Sequence, residues 1–261
     1  CTQNGVRGGN ATVHFPIWHP EIEDILVLKN NKGTEDNRVR KMDYSIQLSK
    51  LFYERFIKEE NITLFSPHLV PGLYDAFGTK EFDTLYKKYE ADKTIPKKVV
   101  PAQDLFFDIL KERAETGRIY IMNIDHCNTH SSFKDKVSMS NLCQEITLPT
   151  TPIQHIDDEK GEIALCILSA INVGALNDLS ELENLCDISV RALDQIIDYQ
   201  RYPVKAAEIS TKARRSLGIG YIGLAHYLAK NGVKYSDPKA CELVDRLSEA
   251  FQYYLLRASC N

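Results

Sequence analysis

The sequence predicts a helix-rich α/β fold, and three observations carry that reading. Apolar residues recur at helical spacing through much of the first 117 residues, and the same pattern returns from residue 178 to the end. Between these regions, three runs read as strands: "RIYIMNID" (118–125), "NLCQEITLP" (141–149) and "EIALCILSAINVGAL" (162–176). The third run is apolar on both faces, the pattern of a strand buried on both sides in a parallel sheet or barrel layered with helices. No internal repeat, low-complexity segment or convincing linker interrupts the chain, which reads as one domain or part of one.

Taken in order, the Gly-rich opening "CTQNGVRGGN" is a loop, and "PEIEDILVLKN" is a helix with Pro20 near its first turn. "NNKGTEDNRVRK" is a polar connector. "MDYSIQLSKLFYERFIKEEN" has helical spacing throughout, and Pro67, Pro71 and Gly72 break the pattern in "LFSPHLVPGLYDAF". "KEFDTLYKKYEAD" is a further helical stretch, joined by a basic, Pro-containing connector to "PAQDLFFDILKERAETG". After the three strand runs, "DLSELENLCDISVRALDQIIDYQ", "RRSLGIGYIGLAHYLAKNG" and the C-terminal stretch are helical.

Composition narrows the function classes. The chain has 261 residues, 43% apolar and 26% charged, enough to bury a large core. A net charge of −4 argues against nucleic-acid or membrane-surface binding through bulk electrostatics. No apolar run approaches about 18–20 residues and no leader pattern is present, so the expectation is a soluble, cytoplasmic protein without a signal peptide. The seven cysteines are odd in number and irregular in spacing, which fits reduced thiols better than a secreted disulfide framework. There is no initiator Met, and the last helix stops at "RASCN" with no capping signal, so the chain reads as an internal piece of a longer protein.

Several motifs compete for attention. "GIGYIG" (218–223) matches the dinucleotide fingerprint, but "TKARRS" before it is no strand and "YSDPK" around Asp237 looks like a loop opening a helix. Close packing at a helix start accounts better for the glycines. "DHCNTH" gathers His126, Cys127 and His130 without further ligands at zinc spacing, so it reads as a polar strand-to-loop exit. "CTQNGVRGG" could bring backbone N–H groups and Arg7 to a ligand, or be a solvated turn.

The sharper signal is Asn141-x-Cys143-x-Glu145. In a strand these three side chains share one face, with Leu142, Gln144 and Ile146 on the other. An inert core thiol remains possible, but such a cysteine usually has apolar neighbours. A carboxylate beside a thiol disfavours the thiolate, and no local His signature supplies a protease base. The grouping suits a thiol that gives and takes a hydrogen atom. Cys166, 23 residues on, is either a plain core cysteine or half of a redox pair.

"QNGVRGGNAT", "DLFFDILKERAETG", "TGRIYIMNIDHCNTHS", "SNLCQEI" and "GEIALCILSAINVGA" together resemble the catalytic large subunit of class I ribonucleotide reductase, in its bacterial and bacteriophage aerobic type. The resemblance covers essentially the whole chain, in order. It implies part of a ten-stranded α/β barrel, with the radical cysteine on a loop threading its centre. An extended finger there would give the same alternation as a strand. By resemblance, Cys143 becomes a thiyl radical that removes the ribose 3′ hydrogen, Glu145 is the base on the 3′-hydroxyl, and Asn141 orients the substrate. Cys166 is one of two thiols that reduce the sugar and end as a disulfide. Residues 1–12 form a specificity loop with Gln3 and Arg7 at substrate-contacting positions. Residues 118–176 carry the active-site strands and finger loop, and 177–261 a helical segment.

The resemblance also implies partners. A metal-containing small (beta) subunit supplies the radical, while this chain itself binds no metal or resident cofactor. ATP and deoxynucleoside triphosphates act as allosteric effectors. Large subunits dimerise, thioredoxin or glutaredoxin supplies reducing equivalents, and no DNA or membrane is bound. The cellular site is the cytoplasm, or a host's cytoplasm for a phage protein. Missing from the 261 residues are the partner redox cysteine, the radical-relay tyrosine pair, the diphosphate loop and the C-terminal cysteine pair; Tyr253-Tyr254 is not that tyrosine pair. The piece is therefore expected to be inactive alone. Alternatives are a non-catalytic part of a split subunit acting as an interaction module, or a cobalamin-dependent reductase.

Overall fold

The computed structural model of the protein describes residues 2, 3 and 5–261; Cys1, Asn4 and the side chain of Gln3 lie outside the described residues. The chain divides into two units, Cys1–Pro149 and Thr150–Asn261.

The first unit opens with two short antiparallel strands, β1 (Thr2–Gln3) and β2 (Arg7–Gly8), where Gly5 takes a positive φ of 73°. Then follow β3 (Thr12–Pro16), α1 (Ile22–Leu26), β4 (Asp43–Leu48), α2 (Lys50–Ile57) and β5 (Asn61–Phe65). The unit continues with α3 (Leu73–Ala76), α4 (Phe82–Ala91), β6 (Lys97–Pro101), α5 (Ala102–Thr116), β7 (Ile119–Asn123) and α6 (Ile124–Thr129).

Strands β3, β4 and β7 form a parallel sheet in that order. Successive side chains alternate across it, so its two faces differ sharply. One carries Phe15, Tyr44, Ile46, Leu48 and Ile119, which join a core with Phe52 of α2 and Leu105 and Ile109 of α5. The other carries His14, Ser45, Gln47 and Tyr120, on rows matched by register. Ser45 and Gln47 are nevertheless 0% and 1% exposed. A buried polar face needs partners, and a later loop supplies them.

The structure corrects the helical reading of "MDYSIQLSKLFYERFIKEEN". Asp43–Leu48 is the central strand, and Ser49 caps α2 by accepting the Phe52 N–H. Tyr44, Leu48, Leu51 and Phe52 mimic helical spacing because the strand runs into the helix across that cap. Two further strands were hidden. β5 lies in what reads as the end of that helix and the following break, and β6 in the basic connector; they pair antiparallel. Their residues, "NITLF" and "KKVVP", are too few to show a period. The helical readings over 82–91 and 102–116 stand, the latter ending at Gly117 with φ 65°.

Tyr86 of α4 finishes the edge of β5. Its hydroxyl accepts from the Thr63 N–H at 2.7 Å and donates to the Thr63 carbonyl at 2.6 Å. Burial holds this phenol far above its usual pKa. Arg55 lies over the ring at 5.1 Å and forks onto Glu90, whose Oε1 also accepts from Thr63 Oγ1 at 2.6 Å. Phe65 and Phe82 pack edge-on or tilted against Tyr86.

The second unit contains β8 (Ile167–Asn172), α7 (Glu181–Tyr199), α8 (Lys205–Arg214), β9 (Leu217–Ile222), α9 (Leu224–Lys230) and α10 (Pro238–Cys260). β8 and β9 pair in parallel, as the run 162–176 led us to expect, but the strand covers only part of that run and is not buried on both faces: Ile167 and Ile171 are buried, whereas Leu168 on the other face is 58% exposed. The helical reading of "GIGYIG" is wrong for most of its length, because the motif falls largely on β9. A Cβ at Gly218 would come within 2.5 Å of Leu168 Cδ2, and one at Gly223 within 2.4 Å of Asn172 Oδ1. The expected close packing holds, therefore, but between strands; only Gly223, with φ 80°, stands at a helix start. Asp237 opens α10, as its surroundings indicated. No described helix is long and apolar enough to cross a membrane.

Tyr86→Phe removes both partners of Thr63 while keeping the ring. It is expected to destabilise the protein by about 1–3 kcal/mol, the cost of leaving buried backbone groups unsatisfied. Thermal unfolding should show a clear drop in Tm, and an unchanged Tm would contradict this account.

Candidate active site

The strand reading of 141–149 is overturned. Residues 142–143 form a turn, Gln144 has a positive φ of 66°, and 145–149 follow no regular element. The alternation of Asn141, Cys143 and Glu145 is real in the sequence, but it comes from a folded loop. Asn141 Oδ1 accepts the Ile146 N–H at 3.1 Å, and Ser140 Oγ donates to the Ile146 carbonyl at 2.5 Å. The Gln144 N–H reaches the Asn141 carbonyl at 3.3 Å. In a strand, residues 141 and 146 would be roughly 16 Å apart. Pinning them together pushes the intervening residues outward, and Cys143 and Glu145 are both exposed. Asn and Asp side chains commonly close turns in this way, competing with strand pairing.

The polar face of the sheet holds this loop. Thr12 Oγ1 donates to the Leu142 carbonyl at 2.6 Å, Ser45 Oγ donates to Gln144 Oε1 at 2.9 Å, and Gln47 Nε2 donates to the Ser138 carbonyl at 2.6 Å. From the third strand, Tyr120 lies in register with Ser45 and lines the same cleft as Gln144. Desolvation, and then the neighbouring thiol, raise the Tyr120 pKa above the ordinary phenol value. Strands β3 and β4 thus both contribute to placing residues 138–144.

Beside the loop is a cleft of about 500 Å³, lined by Tyr120, Asn123, His126, Cys127, Gln144 and Thr147 among others. His126 and Cys127 lie on α6, so "DHCNTH" is a short helix rather than a strand-to-loop exit. Among the described residues, no group of three His, Cys, Asp or Glu side chains converges as a metal site would.

The other predicted residues lie on other segments of the chain. Cys166 is half-buried, immediately before β8 in the second unit. Gln3 and Arg7 are direct register partners across β1 and β2, and Arg7 is exposed. Among the described residues, no hydrogen bond or ion pair joins Arg7 to the 140–146 loop. Sequence reasoning missed Thr12, Ser45 and Gln47. The one available signal was Ser45 and Gln47 alternating with Tyr44, Ile46 and Leu48.

His14 shares the polar face but is differently placed. Both ring nitrogens are buried and neither has a hydrogen-bond partner. Desolvation lowers its pKa from the ordinary 6.5, only partly opposed by the nearby carbonyls of Asn141 and Ser140. The unfolded chain therefore takes up the proton first, and His14 costs stability as pH falls below about 6.5. His14→Phe removes the orphaned nitrogens and should raise stability by up to about 1 kcal/mol. Melting curves between about pH 5 and 7.5 should show the smaller acid-side loss in the variant; an equal loss would exclude His14 as a source.

Comparison with known proteins gives this geometry a family. The profile described as "Ribonucleotide reductase, barrel domain" matches residues 1–261. The ribonucleoside-diphosphate reductase subunit alpha of Haemophilus influenzae is 61% identical over all of this chain and 35% of its own length. The ribonucleoside-diphosphate reductase 1 subunit alpha of Escherichia coli is 57% identical over 99% of this chain and 35% of its length. The corresponding subunit of Enterobacteria phage T4 is 45% identical over the same shares. The chain thus spans about a third of the length of these curated relatives. With every residue inside the family profile and a pinned, exposed thiol in its first unit, the chain belongs to the ribonucleotide reductase barrel-domain family.

Proposed function

We propose that this chain carries the radical thiol centre of a reductase converting ribonucleoside diphosphates to 2′-deoxyribonucleoside diphosphates for DNA precursor synthesis. The observation that carries the reading is the exposed Cys143 on a loop closed by Asn141, with Glu145 exposed two residues on. A hydrogen-atom acceptor must present its sulfur to substrate without being a free swinging arm. A loop fixed at its base and open at its tip does this, and fixing the reacting groups removes much of the entropic barrier.

In this mechanism the Cys143 sulfur radical takes the ribose 3′ hydrogen and becomes a thiol. Glu145 accepts the 3′-hydroxyl proton, and later returns it, while the 2′-hydroxyl takes one of the two thiol protons supplied by the cysteine pair and leaves as water. Cys166 and a second cysteine outside these 261 residues give two electrons and two protons to the sugar and become a disulfide. Cys143 then returns its hydrogen to C3′, regenerating the sulfur radical. The net change is one ribonucleotide and two thiols giving one deoxyribonucleotide, one disulfide and water. Asn141, already closing the loop through Oδ1, retains Nδ2 for a substrate hydroxyl.

The remaining roles follow the family reading. A metal-containing beta subunit is the radical source, thioredoxin or glutaredoxin re-reduces the disulfide, and large subunits pair. Residues 1–12, with Gln3 and Arg7, couple ATP or deoxynucleotide effectors to substrate choice. The enzyme works in the cytoplasm, or in that of a host.

In the full-length protein with its radical-supplying partner, Cys143→Ser should abolish deoxynucleotide formation while nucleotide binding persists. Glu145→Gln should lower kcat by about 10²–10⁴, the usual worth of a positioned base. The 261 residues by themselves should show no steady turnover even with partner and reductant. Turnover by Cys143→Ser would exclude the radical-thiol role.

A further inference from the structure

Among the described residues of the thiol loop, only Gln144 has a left-handed backbone, with φ 66°. It stands between the two groups of the proposed chemistry, Cys143 and Glu145. The Gln144 N–H reaches the Asn141 carbonyl at 3.3 Å, which closes a turn with Leu142 and Cys143 at its centre. A turn followed by a left-handed residue reverses a chain, and glycine ordinarily takes that last position because it has no Cβ to clash. Here the residue is a glutamine, and its side chain is held: Ser45 Oγ donates to Gln144 Oε1 at 2.9 Å. Ser45 is buried on β4, the central strand of its sheet. On the other side of the thiol, Thr12 Oγ1 holds the Leu142 carbonyl, so Cys143 lies between two anchors on the sheet.

We propose that Ser45 is a positioning residue: by holding the Gln144 side chain it keeps that backbone left-handed, and so sets the Cys143 thiol and the Glu145 carboxylate relative to one another. The inference rests on the radical-thiol reading above. An L-residue avoids the left-handed region by a factor of about 5 to 30, so residue 144 needs a restraint to stay there. The bond from the Ile146 N–H to Asn141 Oδ1 closes the loop but does not by itself fix the φ of residue 144. A change in that torsion leaves Cys143 with the turn and swings Glu145 away from it. Hydrogen abstraction at C3′ and proton removal from the 3′-hydroxyl act on adjoining atoms of one sugar, so sulfur and carboxylate must be correct together. The Ser45 bond supplies this restraint from a strand position sealed from solvent.

The test uses the full-length enzyme with its radical-supplying partner, with kcat referred to the folded fraction given by thermal unfolding. Ser45→Ala removes the donor and should lower kcat about three- to tenfold, the worth of one such hydrogen bond, with KM and nucleotide binding unchanged. Gln144→Gly and Gln144→Val both lose the bonded side chain, but glycine accepts the left-handed backbone and a β-branched residue resists it. The Gln144→Gly enzyme should therefore turn over faster than the Gln144→Val enzyme. In the Gln144→Gly background, Ser45→Ala should cost at most about twofold, because no side chain is left to hold. Gln144 is half-buried on the loop, so its two variants decide the question even where Ser45→Ala loses stability. Wild-type kcat in Ser45→Ala would overturn the inference, as would a loss expressed in KM, an equal loss in both backgrounds, or a valine variant as active as the glycine one. Cys143→Ser run in parallel separates the two readings. If it is inactive while Ser45→Ala is unimpaired, only the Ser45 inference falls; if it turns over, the radical-thiol reading itself has failed.

Discussion

The first unit depends on one requirement: the polar face of a buried parallel sheet must have hydrogen-bond partners. Ser45 and Gln47 are sealed from water, and neither can be satisfied by the ladder, whose bonds use only backbone groups. Leaving such groups unpaired would cost more than a packed apolar side chain would gain. The loop at 138–146 meets the donors of this face by placing a carbonyl at Gln47 Nε2 and an amide oxygen at Ser45 Oγ, with a further carbonyl at Thr12. The sheet needs the loop for satisfaction, and the loop needs the sheet for its shape.

That mutual dependence explains how an exposed thiol can be held in place. Exposed loop tips are ordinarily the mobile parts of a protein. Here Cys143 lies within two residues of Asn141 and Gln144, both tied down, one within the loop and one to β4. The opposite face of the same strands is apolar and joins a core with α2 and α5. A side chain on this sheet is therefore set by packing on one face and by hydrogen bonds on the other. The exceptions on that face are the two ring nitrogens of His14 and Oε1 of Gln47, which are buried without a hydrogen-bond partner.

The second unit distributes its cysteines differently. Cys186 is fully buried on α7, and burial raises its pKa to about 11, the behaviour of an inert core thiol. Cys166 is half-buried next to a strand whose neighbour β9 approaches closely through Gly218. Cys241 and Cys260 are exposed on α10. Residue type alone does not separate these thiols; their surroundings do.

By itself the sequence determined the α/β class, the long amphipathic helices at 102–116, 181–199 and 238–260 and a parallel strand within 162–176, and it singled out Asn141, Cys143 and Glu145 as a candidate trio. Those features are local: helical period over many residues, or an unusual trio of side chains at short spacing. Only the tertiary structure decided that 43–48 is a strand and that 141–149 is not one. In the first case, helix-like spacing arose from a strand abutting a helix, and the polar residues that contradict an apolar core were excused by partners about 90 to 100 positions away. In the second, a period of two arose from a turn closed by one asparagine. Thr12 was unreadable for the same reason, since the Leu142 carbonyl it meets is reached only after the chain has left the sheet and returned. Periodicity reports what a segment does along its own axis, and pairing across the fold is invisible to it.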